Sequence, residues 1–139
     1  MIVIKVQHYL NRARDFFKGM DLLKDDLTGY QFSSALLGIH SAISYCDALR
    51  IGMGSESVSA EDHRSASGEL RTLLSSRKYK ELQGLERLEK LLGQKSVIAY
   101  SQDRAEENAI KSIIQQAQRF ASWAEKTGRQ LGIEGWGND

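Results

Sequence analysis

Apolar residues recur at three- and four-residue spacing along most of the chain, and nowhere do they alternate in twos over the length of a strand. Tyr9, Ala13, Phe16, Met20 and Leu23 form the first such row, with Arg12, Arg14 and Lys18 between them, and predict a helix over Val6–Asp26. Gly19 inside it either weakens the helix or marks the close approach of a neighbour. Thr28-Gly-Tyr-Gln31 has the form of a capping box, with the threonine oxygen on an orphan amide and the glutamine reaching back. A second helix follows over Tyr30–Ile51. Phe32, Leu36, Ile39, Ile43 and Leu49 give it bulk, while Ser34, Ala35, Gly38, Ser41, Ala42 and Ala48 give a low surface on which another helix can lie closely.

Gly52-Met-Gly54 ends this second helix, and Ser59-Ala-Glu-Asp62 begins a third over Ala60–Leu74, with acids in the first turn where the helix dipole favours them. After a turn at Ser75–Arg77, a leucine-rich row predicts a fourth helical segment over Lys78–Tyr100, with Gly84 and Gly93 as points where it can break. Asp103-Arg-Ala-Glu106 is another capping box. The last helix, Arg104–Thr127, has the clearest period, carried by Ala109, Ile113, Ala117, Phe120 and Ala124. Together these elements predict an all-α, up-and-down bundle of four to five helices in one domain, residues 1–127, followed by a glycine-rich tail over 128–139 that is expected to fray.

Composition sharpens this picture. At 139 residues the chain suits one domain with its own core, and its lack of proline favours helices joined by glycine and serine turns. Cys46 is the single cysteine, so no disulfide forms within the chain, and its apolar surroundings predict a buried, reduced thiol. The start of the chain lacks the apolar run of a signal peptide and no stretch is long enough to span a membrane, so a cytoplasmic protein is expected. The net charge of +1 draws in no polyanion. Cations do exceed acids between Arg64 and Lys95, at spacings that suit ion pairs along solvated helices.

Several of these stretches carry a family likeness: the aromatic first helix ARDFFKGMDLL, the alanine-rich SSALLGIHSAISYCDALRIGMG, the start EDHRSASGEL, the segment ending LLGQKSVIAYS and the closing AIKSIIQQAQRFASWAEK. In these patterns, over about Tyr9–Lys126, the chain resembles the HEPN superfamily (higher eukaryotes and prokaryotes nucleotide-binding). The resemblance implies an up-and-down helical bundle, often a homodimer. It also implies work in toxin–antitoxin or defence systems, frequently beside a nucleotidyltransferase partner. Active members resemble metal-independent RNases, in which an arginine followed four to six residues later by a histidine steadies phosphate and moves a proton. This chain departs from that pattern. None of His8, His40 and His63 has such an arginine, and the matching region reads Lys95-Ser-Val-Ile-Ala-Tyr100. Lysine lacks the planar fork of arginine, and tyrosine does not shuttle protons near neutral pH without a large pKa shift.

The expectation is therefore a non-catalytic HEPN-like interaction module without a cofactor, acting with a partner protein or binding a nucleotide or RNA. A diverged RNase using Lys95, Tyr100, His40 or His63, and a structural helical adaptor, are the alternatives. Its candidate polar site starts from His40, Ser44 and Asp47, which share one face of the second helix, and would be joined by Asp62, His63, Lys95 and Tyr100 if the elements converge. The competing reading is that these groups are simply satisfied in the interior, since buried polar groups must be paired whether or not they do chemistry. No metal site is expected, because His40 and Cys46 point to different helix faces and no CxxC or HExxH occurs. The small-residue face of the second helix, or the exposed side of the last, is the expected dimer surface. Trp136 either folds back on the bundle or reaches a partner.

Overall fold

The computed structural model describes residues 2–25, 30–56, 64–100 and 107–137. Among them run five helices and no strand: α1 (Ile2–Leu23), α2 (Gln31–Gly52), α3 (Arg64–Ser76), α4 (Gln83–Tyr100) and α5 (Glu107–Gln130). The expected all-α bundle is what forms. Among the described residues no helix is long and apolar enough to cross a membrane.

α2 is the axis of the molecule. Fourteen of its 22 residues are buried, and they lie around nearly the whole helix rather than along one stripe. Side-chain contacts set the directions of its neighbours. Ser34 donates to the Met20 carbonyl at 2.9 Å and Ser41 to the Ala13 carbonyl at 2.8 Å, so α1 runs antiparallel to α2. Gly38 faces Ala117 and Tyr45 reaches Glu125, so α5 runs parallel to it. Gly84 lies against Trp123, while Leu91 and Gln94 share a cavity with Ala109 and Ile113, so α4 runs antiparallel to α5. The shorter α3 lies over the second half of α2, where Cys46 meets Ala66 and Arg50 meets Glu69. α1, α2, α4 and α5 thus make the up-and-down frame, with α3 set on α2 and α4.

The small residues of α2 face inward, which corrects their expected role as a dimer surface. Ser34, Ala35, Gly38, Ser41, Ala42 and Ala48 are all buried within the chain. A Cβ on Gly38 would sit 2.7 Å from Met20 Sδ and 3.0 Å from Ala117 Cβ, so α1 and α5 both close on this one position. Gly19 is likewise a close approach, with Leu37 Cδ1 at 3.0 Å from where its Cβ would lie. The expected helix over Lys78–Tyr100 starts only at Gln83, beside Gly84, and then runs unbroken through Gly93. Gly84 makes room for the Trp123 ring, whose Nε1 donates to the Glu81 carbonyl at 2.8 Å.

Three helices end in the same way. Ser55 N–H bonds to Arg50 O and Gly54 N–H to Ile51 O, with Gly54 at φ +110. Tyr79 and Lys78 repeat the pattern on Leu74 and Ser75, as do Ile133 and Gly132 on Gly128 and Arg129. Each is a Schellman closure, in which a left-handed residue turns two late amides back onto orphan carbonyls. At the start of α2 the capping residue is Tyr30, and it makes no side-chain cap bond. Thr28 of the expected capping box lies outside the described residues, as do the start at Ser59–Asp62 and the box at Asp103–Glu106.

The tail departs most from expectation. α5 continues through Gln130, and residues 131–137 fold back over the end of the bundle with Ile133 and Trp136 buried. The fraying expected of a glycine-rich end is prevented because Ile133 and Trp136 find seats against Gly52 and Gly128, with Leu131 packed beside the core.

Two glycines of opposite type test this packing. Gly38→Val should cost about 2–3 kcal/mol by overpacking between α1 and α5. Gly93→Ala, with nothing within 4 Å of its Cβ position, should gain up to about 1 kcal/mol from helix propensity. Urea denaturation of both variants measures the difference.

Candidate functional site

Because α2 is unbroken, His40, Ser44 and Asp47 do line up on one face, and that face looks into the groove beside α1. The His40 ring stacks on Phe16 of α1, centroids 5.6 Å apart and planes tilted by 38°. The Arg12 guanidinium lies over the Phe16 ring, 5.8 Å from its centroid. Ser44 is buried between the histidine and the aspartate in sequence. Asp47 Oδ1 accepts a hydrogen bond from Arg50 Nη1 at 3.1 Å, and Arg50 Nε donates to Glu69 Oε1 of α3 at 3.0 Å. The Arg50 side chain is only 7% exposed and that of Asp47 13%.

This arrangement sets the protonation chemistry. Burial is the largest influence on Asp47 and pushes its carboxyl up to about 6, against the pull of Arg50 and the more distant charge of Arg12. Glu69 is half-buried and moves the other way, held below the usual carboxylate range by the Arg50 hydrogen bond. Arg50 is therefore a bridge between helices: one face of its guanidinium serves α2's own carboxylate and the other fastens α3. Cys46, one residue before Asp47, is buried against α3, and burial pushes its thiol up, with Asp47 adding to the effect. A thiolate there is disfavoured, in line with an inert interior thiol.

Asp62 and His63 lie outside the described residues, as does the Tyr100 side chain. The His40 ring stacks on α1, and among the described residues α4, which carries Lys95, makes no contact with α1. The helix period could place His40, Ser44 and Asp47 on one face, but only the packing order of helices decides which other elements meet that face. Among the described residues no group of three His, Cys, Asp or Glu side chains could hold a metal ion.

A second polar centre escaped the sequence reading. Glu125 of α5 takes a bidentate pair from Arg14 of α1, Nε to Oε2 at 2.7 Å and Nη2 to Oε1 at 2.8 Å. Tyr45 of α2 donates to Oε2 at 2.7 Å and Trp136 Nε1 to Oε1 at 3.2 Å. One carboxylate thus ties three helices and the closing segment together. Burial opposes its charge, but the bonds from Arg14 and Tyr45 outweigh that and hold Glu125 below its ordinary value. Burial and the neighbouring carboxylate push the Tyr45 phenol up, so it stays a donor. The available signal was an acid beside Ala121, Ala124 and Gly128, on the edge of the apolar stripe of α5.

Away from both centres, a cleft of about 660 Å³ opens between the end of α1 and the first turns of α5, with Lys24, Asp25, Asn108, Lys111, Ile114 and Gln115 in its wall. No protein-family model, curated protein or solved structure gives a significant match to the chain.

Two measurements check these assignments. A carboxyl whose folded pKa is raised disfavours folding once ionised, so Asp47 should make stability fall as pH rises from about 4.5 towards 6.5. Asp47→Asn, which keeps an acceptor for Arg50, should flatten that part of the wild-type profile in urea melts across pH. Glu125 works with the opposite sign, stabilising above its unfolded value and losing this as pH falls further. Glu125→Ala should cost about 2–3 kcal/mol at neutral pH, the scale of hydrogen bonds to a charged group, and thermal unfolding should show it.

Proposed function

We propose that the chain is a non-catalytic interaction module with HEPN-like architecture, working in the cytoplasm as a homodimer with a partner protein of nucleotidyltransferase type or with a nucleotide. The observation that carries this reading is the use made of the polar face of α2. Asp47 is engaged by Arg50, Arg50 is shared with Glu69, and His40 lies against Phe16. Groups held in this way fasten α1 and α3 to α2, and fastening is a different task from proton transfer at an open site. The absence of the arginine–histidine spacing used by active HEPN RNases points the same way.

The exposed side of α5 is the remaining candidate for a dimer surface. The cleft beside Lys24 and Lys111 favours a module that takes a ligand over a plain structural adaptor: Lys24 is paired there with Asp21 and Asp25, and Lys111 and three side-chain amides offer further polar contacts. The diverged-RNase reading, in which Lys95, Tyr100, His40 or His63 does the acid–base work, gains some support from Asp47 on the same face of α2 as His40, where burial pushes its carboxyl up to about 6, near where a general acid or base works.

Purified protein incubated with RNA and a chelator separates these readings. The module leaves the RNA intact over hours. Chelator-resistant cleavage that is lost in both His40→Ala and Asp47→Asn, with folding retained, would establish the enzyme instead.

A further inference from the structure

α4 and α5 do not close completely on each other. Between them lies a cavity of about 290 Å³, lined by the buried side chains of Leu91 and Ile113 and by the polar ones of Gln94, Ser112 and Gln116. That volume stands at the lower end of the range for small-molecule sites, roughly 300–1,000 Å³, and an apolar lining with a few polar groups is their usual composition. One of the polar groups is out of balance. Gln116 Oε1 is buried and accepts no hydrogen bond, and among the described residues it is the one buried side-chain nitrogen or oxygen in that condition. The deep hydroxyls of Ser34, Ser41 and Tyr45 all find acceptors within the chain. A buried acceptor left unpaired destabilises the fold, so an occupant that supplies the missing donor is favoured.

We propose that this cavity binds a small ligand with a planar edge on which an N–H donor sits beside an acceptor, as in an adenine base or a primary aromatic amide. The inference rests on the ligand-taking form of the module reading, and it gives that ligand a site and a chemistry. A glutamine amide is complementary to such an edge, because its oxygen accepts while its NH2 donates alongside. The last torsion of a glutamine side chain is broad, so Oε1 turns towards the cavity at little cost. Leu91 and Ile113 offer apolar contact to a flat ring. Lys90, exposed on α4 and part of the same wall, suits a phosphate or carboxylate elsewhere on the ligand and disfavours a cation. None of His40, Ser44 and Asp47 lines this cavity, so the site is separate from the polar face of α2.

NMR titration of the full chain with adenosine 5′-monophosphate and, separately, with nicotinamide tests this. Saturable shifts centred on Leu91, Gln94, Ser112 and Gln116 are expected with at least one of the two, and the one that binds identifies the source of the edge. Purine riboside 5′-monophosphate keeps the ring and the phosphate but lacks the amine, and methyl nicotinate lacks the amide N–H. Each should bind at least about fivefold more weakly than its N–H-bearing counterpart, the scale of leaving Gln116 unpaired. Gln116→Met should abolish that preference while unfolding in urea no earlier than the wild type, since it removes an unpaired acceptor. No shifts at these residues with either probe overturns the proposal, as does equal affinity within both pairs or a preference that survives in Gln116→Met. Binding of a probe elsewhere, with these residues unmoved, also overturns it and leaves the module reading standing on another surface.

Discussion

The structure depends on how closely two helices can approach α2. At Gly38 both α1 and α5 come within a methyl's reach of the α2 backbone, and Ala35, Ala42 and Ala48 continue the low surface on either side. Close-packed interiors leave little slack, so small side chains on the axis let larger ones on its neighbours, such as Met20 and Phe120, fill the space. The serines on α2 obey the same constraint. Ser34 and Ser41 are too deep to meet water, and each is satisfied by a carbonyl of α1. Those bonds set the register of the α1–α2 pair as well as satisfying the hydroxyls.

Once α2 is enclosed, every polar group on it must find a partner within the protein. Tyr45 finds Glu125, and Asp47 finds Arg50, which also holds α3. The polar residues of this helix are therefore spent on holding neighbours in place. That is the physical basis for reading the chain as a binding module: residue types that suggest acid–base chemistry in the sequence are joints in the folded chain. Glu125 plays the same part between α1, α2 and α5, and it extends the network to Trp136.

Much of the architecture was legible because helical periodicity is a local property. The rows of apolar residues located all five helices, and Gly52–Gly54 marked the end of α2 through the turn its glycine now makes. What was not legible depended on partners distant in sequence. Small residues on α2 predict close packing without saying whether the other helix belongs to the same chain. Gly84 looks like a helix breaker until Trp123 is placed against it. The closing segment reads as flexible because its glycines are visible in the sequence and the seats for Ile133 and Trp136 are not. The candidate site was legible to the extent that one helix defines it: His40, Ser44 and Asp47 share a face, whereas Lys95 was assigned to them without knowledge of which helices touch.

Hydrogen exchange resolved residue by residue addresses the central claim most directly, because enclosure of most of α2 is a statement about where local opening is forbidden. The account predicts that amides from Gly38 to Leu49 exchange only through global unfolding and are the slowest in the molecule, while those of α3 exchange through smaller openings. Amides of α2 that exchange as readily as those of α3 would contradict it.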